Sequence, residues 1–167
     1  MIRAALITIS TSRAEAADSG AEEVADLSGE RMAEFAETLG AEVIGRDLIP
    51  DDFDQIVQRL THWAGDGGAE LILTSGGTGL APSDVTPEAT TAIIERPAPG
   101  IAEAVRLAAS EHTSHWPLSR GVAGVRGRCL IINLPGSPRS ISQSEPALSP
   151  ILGHAIELLQ GQDSDHS

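Results

Sequence analysis

The spacing of apolar positions changes several times along the chain, and each change marks an expected boundary. Residues 4–10 (AALITIS) form a short apolar run that predicts a strand. Over 28–40 (SGERMAEFAETLG), Met32, Phe35, Ala36 and Leu39 recur at helical spacing, with Ser28 as the expected cap and Gly40 as the stop. AEVIGRDLI (41–49) predicts a second strand and FDQIVQRLTHWAG (53–65) a second helix. AELILT (69–74) is apolar throughout, as in a strand covered on both faces of a parallel sheet. A helix should begin at Thr86-Pro87-Glu88, with Thr86 as N-cap and proline in the first helical position. GIAEAVRLAASEH (100–112) predicts a helix, GRCLIINL (127–134) a strand, and ALSPILGHAIELLQG (147–161) a helix interrupted by Pro150.

Strands separated by helices of this length predict an α/β fold, a three-layer sandwich in which a mostly parallel sheet is flanked by helices. Ligands of such folds sit beyond the carboxyl ends of the strands. That places three loops on one rim: residues 10–13 (STSR), 75–79 (SGGTG) and 134–138 (LPGSP). With no internal repeat and no linker, residues 1–161 are expected to form one domain and 162–167 a disordered tail.

The composition removes several functions. Hydrophobic residues make up 41% of the 167, enough for a core. No apolar run reaches the roughly 20 residues a membrane span needs, and the N-terminus reads as a first strand rather than a signal peptide. The net charge is −13, and residues 1–95 hold 18 acids against 5 arginines, which argues against nonspecific nucleic-acid binding. All eleven basic residues are arginine. The absence of lysine excludes a P-loop lysine, a kinase strand lysine and Schiff-base chemistry. Cys129, the only cysteine, sits in an apolar run and reads as a core thiol, compatible with the cytoplasm. His62, His112, His115, His154 and His166 have no metal-ligand spacing, and Trp63 and Trp116 read as core or interface residues.

Candidate chemistry collects on the rim. In Ser75-Gly76-Gly77-Thr78-Gly79, glycines allow backbone amides to approach an anion, and Ser75 and Thr78 add hydroxyls. The spacing matches neither common nucleotide fingerprint, and taken alone the segment reads first as an ordinary Gly-rich turn. Asp84 follows five residues after Gly79, just before a helix N-terminus. It reads either as a turn aspartate or as the carboxylate of Mg²⁺-assisted phosphoryl or nucleotidyl transfer. Asp51, at the end of the second strand, is either such a group or a helix N-cap, a job Asp52 could do as well. Asn133, Gly136 and Ser137 end a strand in a rigid turn, with Arg139 beside it, and Arg120, Arg126 and Arg128 offer positive charge upstream.

LILTSGGTGLAPSDVTPEAT (71–90), with LIPDD before it and LSRGVAGVRG and INLPGSP after it, resembles the molybdopterin adenylyltransferase family of molybdenum-cofactor biosynthesis, relatives of the N-terminal domain of gephyrin. The resemblance runs over residues 3 to 161 in order. It implies a cytoplasmic homotrimer of α/β subunits that transfers AMP from Mg-ATP to the terminal phosphate of molybdopterin. A downstream molybdate-insertion protein would be a further partner. By position it implies Asp51 and Asp84 as catalytic residues, with Asp51 holding Mg²⁺ and ATP. Thr74, Ser75, Gly76, Gly77, Thr78, Gly79, Asn133, Pro135, Gly136 and Ser137 would be the substrate-binding residues. The alternative it leaves is a non-catalytic molybdopterin- or precursor-binding protein of the B type. One departure concerns the first loop, where Thr11-Ser12-Arg13 stands in place of a segment that carries a carboxylate in the family.

Overall fold

The structure, a computed structural model, describes residues 1–22 and 24–161. The expected tail at 162–167 lies outside the described residues. The elements run β1 (Ile2–Ile9), α1 (Thr11–Asp18), α2 (Leu27–Thr38), β2 (Ala41–Ile49), α3 (Phe53–Ala64) and β3 (Leu71–Ser75). They continue with α4 (Thr86–Ile93), β4 (Arg96–Pro97), α5 (Pro99–Ser110), a 3₁₀ turn at Trp116–Leu118, β5 (Ala123–Arg126), β6 (Cys129–Leu134) and α6 (Pro138–Leu159). One six-stranded sheet has the order β2-β1-β3-β6-β5-β4. Its first four strands are parallel; β5 and β4 complete it antiparallel.

Strand alternation builds two cores. Leu6, Leu71, Leu73, Leu130 and Ile132 face Met32 and Phe35 of α2, Val105 of α5, and Ile141, Leu148, Leu152 and Ile156 of α6. Ala5, Ile7, Ile72 and Ile131 face Ile56 and Leu60 of α3 and Ala89 and Ile93 of α4. Both faces of β1, β3 and β6 are thus sealed, which is why their sequences are continuously apolar. The expected three-layer α/β sandwich is observed. Among the described residues no helix is long and apolar enough to cross a membrane.

Several boundaries differ from expectation. α1 carries only one buried residue, Ala14, so no apolar stripe announced it. The expected strand at 127–134 is the second arm of a hairpin whose four-residue first arm, β5, was too short to show a period. The cap of α2 is Asp26, whose carboxylate accepts from Gly29 N, rather than Ser28. Thr86 is the first residue of α4 instead of its cap. α6 runs unbroken through Pro146 and Pro150 for 22 residues. Both prolines are exposed, so the carbonyls they leave unpaired face water, while Ile141, Ser144, Leu148, Leu152 and Ile156 keep one buried stripe along the helix.

Candidate functional site

The carboxyl ends of β1, β3 and β6 bring two loops edge to edge. Gly76 and Gly77 have φ of 101° and 65°, a conformation that side-chain-bearing residues rarely adopt. A Cβ on Gly76 would fall 2.2 Å from Ile9 O, and one on Gly136 only 3.4 Å from Gly76 Cα. The loops are laced by Gly76 N donating to Leu134 O (3.4 Å) and Ser75 Oγ donating to Pro135 O (3.1 Å). Ser28 Oγ, freed from capping, donates to Gly136 O at 2.9 Å.

The pattern of used and unused backbone groups defines the site. The carbonyls of Gly76, Gly77, Thr78 and Gly79 accept, in turn, from Thr86 Oγ1 (2.9 Å), Thr86 N (3.1 Å), Arg120 N (2.8 Å) and Arg120 Nε (2.8 Å). The amides of Gly77, Thr78, Gly79 and Leu80 donate to nothing among the described residues. The facing loop repeats this: the carbonyls of Leu134, Pro135, Gly136 and Ser137 are all taken, whereas the amides of Gly136 and Ser137 are not. Unpaired backbone donors at a partly open rim are groups that an anion can satisfy.

Two carboxylates flank the glycine loop. Asp51 Oδ2 accepts from Thr11 N (3.2 Å) and Thr11 Oγ1 (2.9 Å), and Asp51 N donates back to Thr11 Oγ1 at 3.0 Å. The capping work falls to Asp52, whose side chain accepts from Gln55 N. Asp51 Oδ1 is left unbonded among the described residues and lies against Gly77, where a Cβ would sit 2.9 Å from it. Asp84 Oδ2 accepts from Ala81 N at 3.1 Å and would lie 2.8 Å from a Cβ on Gly79. The two acids therefore stand beside opposite ends of Gly77-Thr78-Gly79.

Thr74, Ser75 and Asn133 are buried beneath this surface. Asn133 Nδ2 donates to Thr74 Oγ1 and Thr90 Oγ1 (both 3.0 Å), and its Oδ1 accepts from Val122 N at 3.1 Å, so the amide ties β3, α4 and the approach to β5 together. Arg120 lies at the site, but its charge is spent on Glu88 and on loop carbonyls. That contact holds the Glu88 carboxyl below the usual range. Arg126 donates to Ile93 O, and Arg128 sits in the β5–β6 turn near Arg3 and Glu70, away from the rim. Arg139 is exposed in the first turn of α6 and unpaired among the described residues. Burial pushes the Cys129 thiol from 9.0 to about 12, as suits a core residue. Trp63 packs over Gly45 and donates to Asp47 at 2.6 Å, while Trp116 lines an open concavity of about 500 Å³ with Gly100, Ala104 and Leu107 of α5.

Sequence reasoning missed Thr11, Thr86 and the full role of Arg120. Thr86 in TPE read as a cap, and only its distance from Gly76 in space reveals the other use. Asp26, in the Asp-Leu-Ser-Gly stretch, accepts from Thr8 Oγ1 at 2.8 Å while capping α2.

The donors suit Mg²⁺ delivered with a nucleotide. Asp51 offers a hard oxygen donor, its Oδ1, unbonded among the described residues, and no group of three or more His, Cys, Asp or Glu there forms a closed cage. Magnesium is held in this way, by one or two carboxylates together with substrate phosphates and water.

The class that the fold and rim define is a six-stranded, mostly parallel α/β domain with an amide-lined, carboxylate-flanked edge at the carboxyl ends of its strands. Residues 5–154 match the family model described as a probable molybdopterin binding domain, and the chain belongs to that family. It is 34% identical over 138 residues to the molybdopterin adenylyltransferase of Helicobacter pylori, covering 81% of this chain and 78% of the relative. To the molybdenum cofactor synthesis protein cinnamon of Drosophila melanogaster it is 41% identical over 125 residues, 75% of this chain but 20% of that longer protein. The crystal structure of the molybdopterin biosynthesis enzyme MoaB from Thermus thermophilus superimposes with a TM-score of 0.85 at 43% identity, covering 96% of this chain and 98% of that one.

Proposed function

We propose that this chain is a nucleotidyltransferase of molybdenum-cofactor biosynthesis, moving AMP from Mg-ATP to the terminal phosphate of molybdopterin. An oxygen of that phosphate attacks the α-phosphorus of ATP. The new phosphoanhydride bond forms as the bond between the α- and β-phosphates breaks, and pyrophosphate leaves. The observation that carries this reading is the run of free amides from Gly77 to Leu80 and at Gly136 and Ser137, set between two carboxylates. The name of the H. pylori relative supports the same chemistry, and that of the Thermus structure the same biosynthetic pathway.

The amides would hold the pterin phosphate, and Asp84 would orient the substrate. Asp51, steadied by Thr11, would hold Mg²⁺ with the triphosphate. The ion supplies charge neutralisation on the phosphates when bound. Everything else the chain contributes is alignment of two anionic reactants, which accounts for a site without lysine. In this reading residues 1–161 act as one domain in a cytoplasmic homotrimer, and the adenylated product passes to a molybdate-inserting partner.

Anaerobic incubation with molybdopterin and Mg-ATP, read by mass spectrometry and pyrophosphate release, tests the proposal. Asp51→Ala and Asp84→Ala are each expected to cut turnover by about 10²-fold or more while the fold persists. Wild-type turnover in both variants would remove them from the site. Tight pterin binding without any product would instead favour the non-catalytic binder.

A further inference from the structure

We propose that Arg120 is a positioning residue whose planar guanidinium aims the Leu80 amide at the end of the glycine-rich loop and fixes the backbone of Asp84. The inference rests on the reading that this loop binds a phosphate. In a trans peptide the C=O of one residue and the N–H of the next belong to one plane and point opposite ways. Pinning the carbonyls of Thr78 and Gly79 inward therefore turns the N–H groups of Gly79 and Leu80 outward. Arg120 does this pinning with its own amide on Thr78 O and its Nε on Gly79 O, both at 2.8 Å. Thr86 does the same for the preceding two planes, through Gly76 O and Gly77 O.

The third tooth of the fork reaches further. Arg120 Nη2 donates to Asp84 O at 2.9 Å, and Nη1 pairs with Glu88 in the first turn of α4. One side chain thus couples the Leu80 amide to the flanking carboxylate. Its positive charge is already met by Glu88, so its contribution to an anion on the rim is geometric. A rigid fork with separated donors can hold Gly79 O, Asp84 O and Glu88 at once, and a lysine ammonium at one point cannot.

The test compares wild type with Arg120→Lys, Arg120→Met and Glu88→Gln, using molybdopterin as the probe. Molybdopterin affinity is read by pterin fluorescence and turnover with Mg-ATP in steady state. Hydrogen exchange of residues 76–88, whose Ala81, Asp84 and Thr86 amides are held by bonds within the loop, reads the brace without any ligand. Both Arg120 variants should bind molybdopterin about 10- to 100-fold more weakly, lose kcat as well, and exchange faster at 76–88 only. Glu88→Gln, which leaves the carbonyl bonds in place, should exchange at 76–88 as wild type does. Unchanged affinity and exchange in Arg120→Lys would overturn the proposal, because charge alone would then suffice. Losses that merely track a fall in Tm, with exchange raised across the whole chain, would overturn it too. If wild type binds no molybdopterin, the reading of the site fails, while the exchange data still decide whether Arg120 braces the loop.

Discussion

Thr11 and Asp51 are joined by three hydrogen bonds, two of them through the threonine hydroxyl. That hydroxyl accepts from the Asp51 amide and donates to the Asp51 carboxylate, so one side chain sets both the backbone and the rotamer of the acid. Thr11→Val keeps the shape and the amide bond but removes both hydroxyl bonds. A hydrogen bond to a charged group contributes roughly 1.5–3 kcal/mol, so turnover should fall by about tenfold or more, with Thr11→Ser restoring most of it. Titrating Mg-ATP at saturating molybdopterin checks this; identical curves for wild type and Thr11→Val would mean Asp51 needs no such hold. None of this was legible in the sequence, where residues 11 and 51 are simply far apart. Asp51 itself was legible because LIPDD ends an apolar strand.

At the scale of elements, what could be read was what has a period. The strands sealed on both faces and the striped helices α2, α3 and α5 announced themselves through burial. α1, with a single buried residue, and the four-residue β5 did not. Proline in α6 misled for a different reason. A proline forfeits one hydrogen bond and clashes with the preceding turn, a local cost that the five-residue buried stripe outweighs. The glycine loop lay between these cases: its residues were visible, but whether it is a turn or an anion nest depends on where Thr86 and Arg120 arrive. The proline account carries its own prediction. Pro146 is exposed, and alanine there would restore the bond to Ser142 O. Interior proline is about 3 kcal/mol poorer than alanine in a helix, offset by about 0.4–1 kcal/mol of unfolded-state entropy. Pro146→Ala should therefore raise stability by about 1 kcal/mol or more in urea unfolding, with the m-value unchanged. A loss of stability would mean that α6 is built around the bend.

At the scale of the whole molecule, the rim and the outer face of α5 have opposite characters. The rim is polar and lined by free amides. The α5 face leaves Leu107 66% exposed and Leu118 49% exposed beside Trp116, and two open concavities share Ala104 and Leu107 there. Exposed apolar side chains gathered in this way on a chain carrying a net charge of −13 make this face the candidate for a subunit contact. In the proposed homotrimer this is the face expected to be covered. Leu107→Glu places a charge at its centre, where burial without a partner is costly. Sedimentation across a concentration series should then shift from trimer toward monomer, with the circular dichroism spectrum unchanged because Leu107 contributes nothing to either core. Because the rim residues lie at the ends of β1, β2, β3 and β6 and in their loops, with none in α5, pterin affinity of the dissociated variant should stay within a few-fold of wild type. A trimer mass retained by Leu107→Glu would assign the subunit contact to another face and leave α5 open to a different partner.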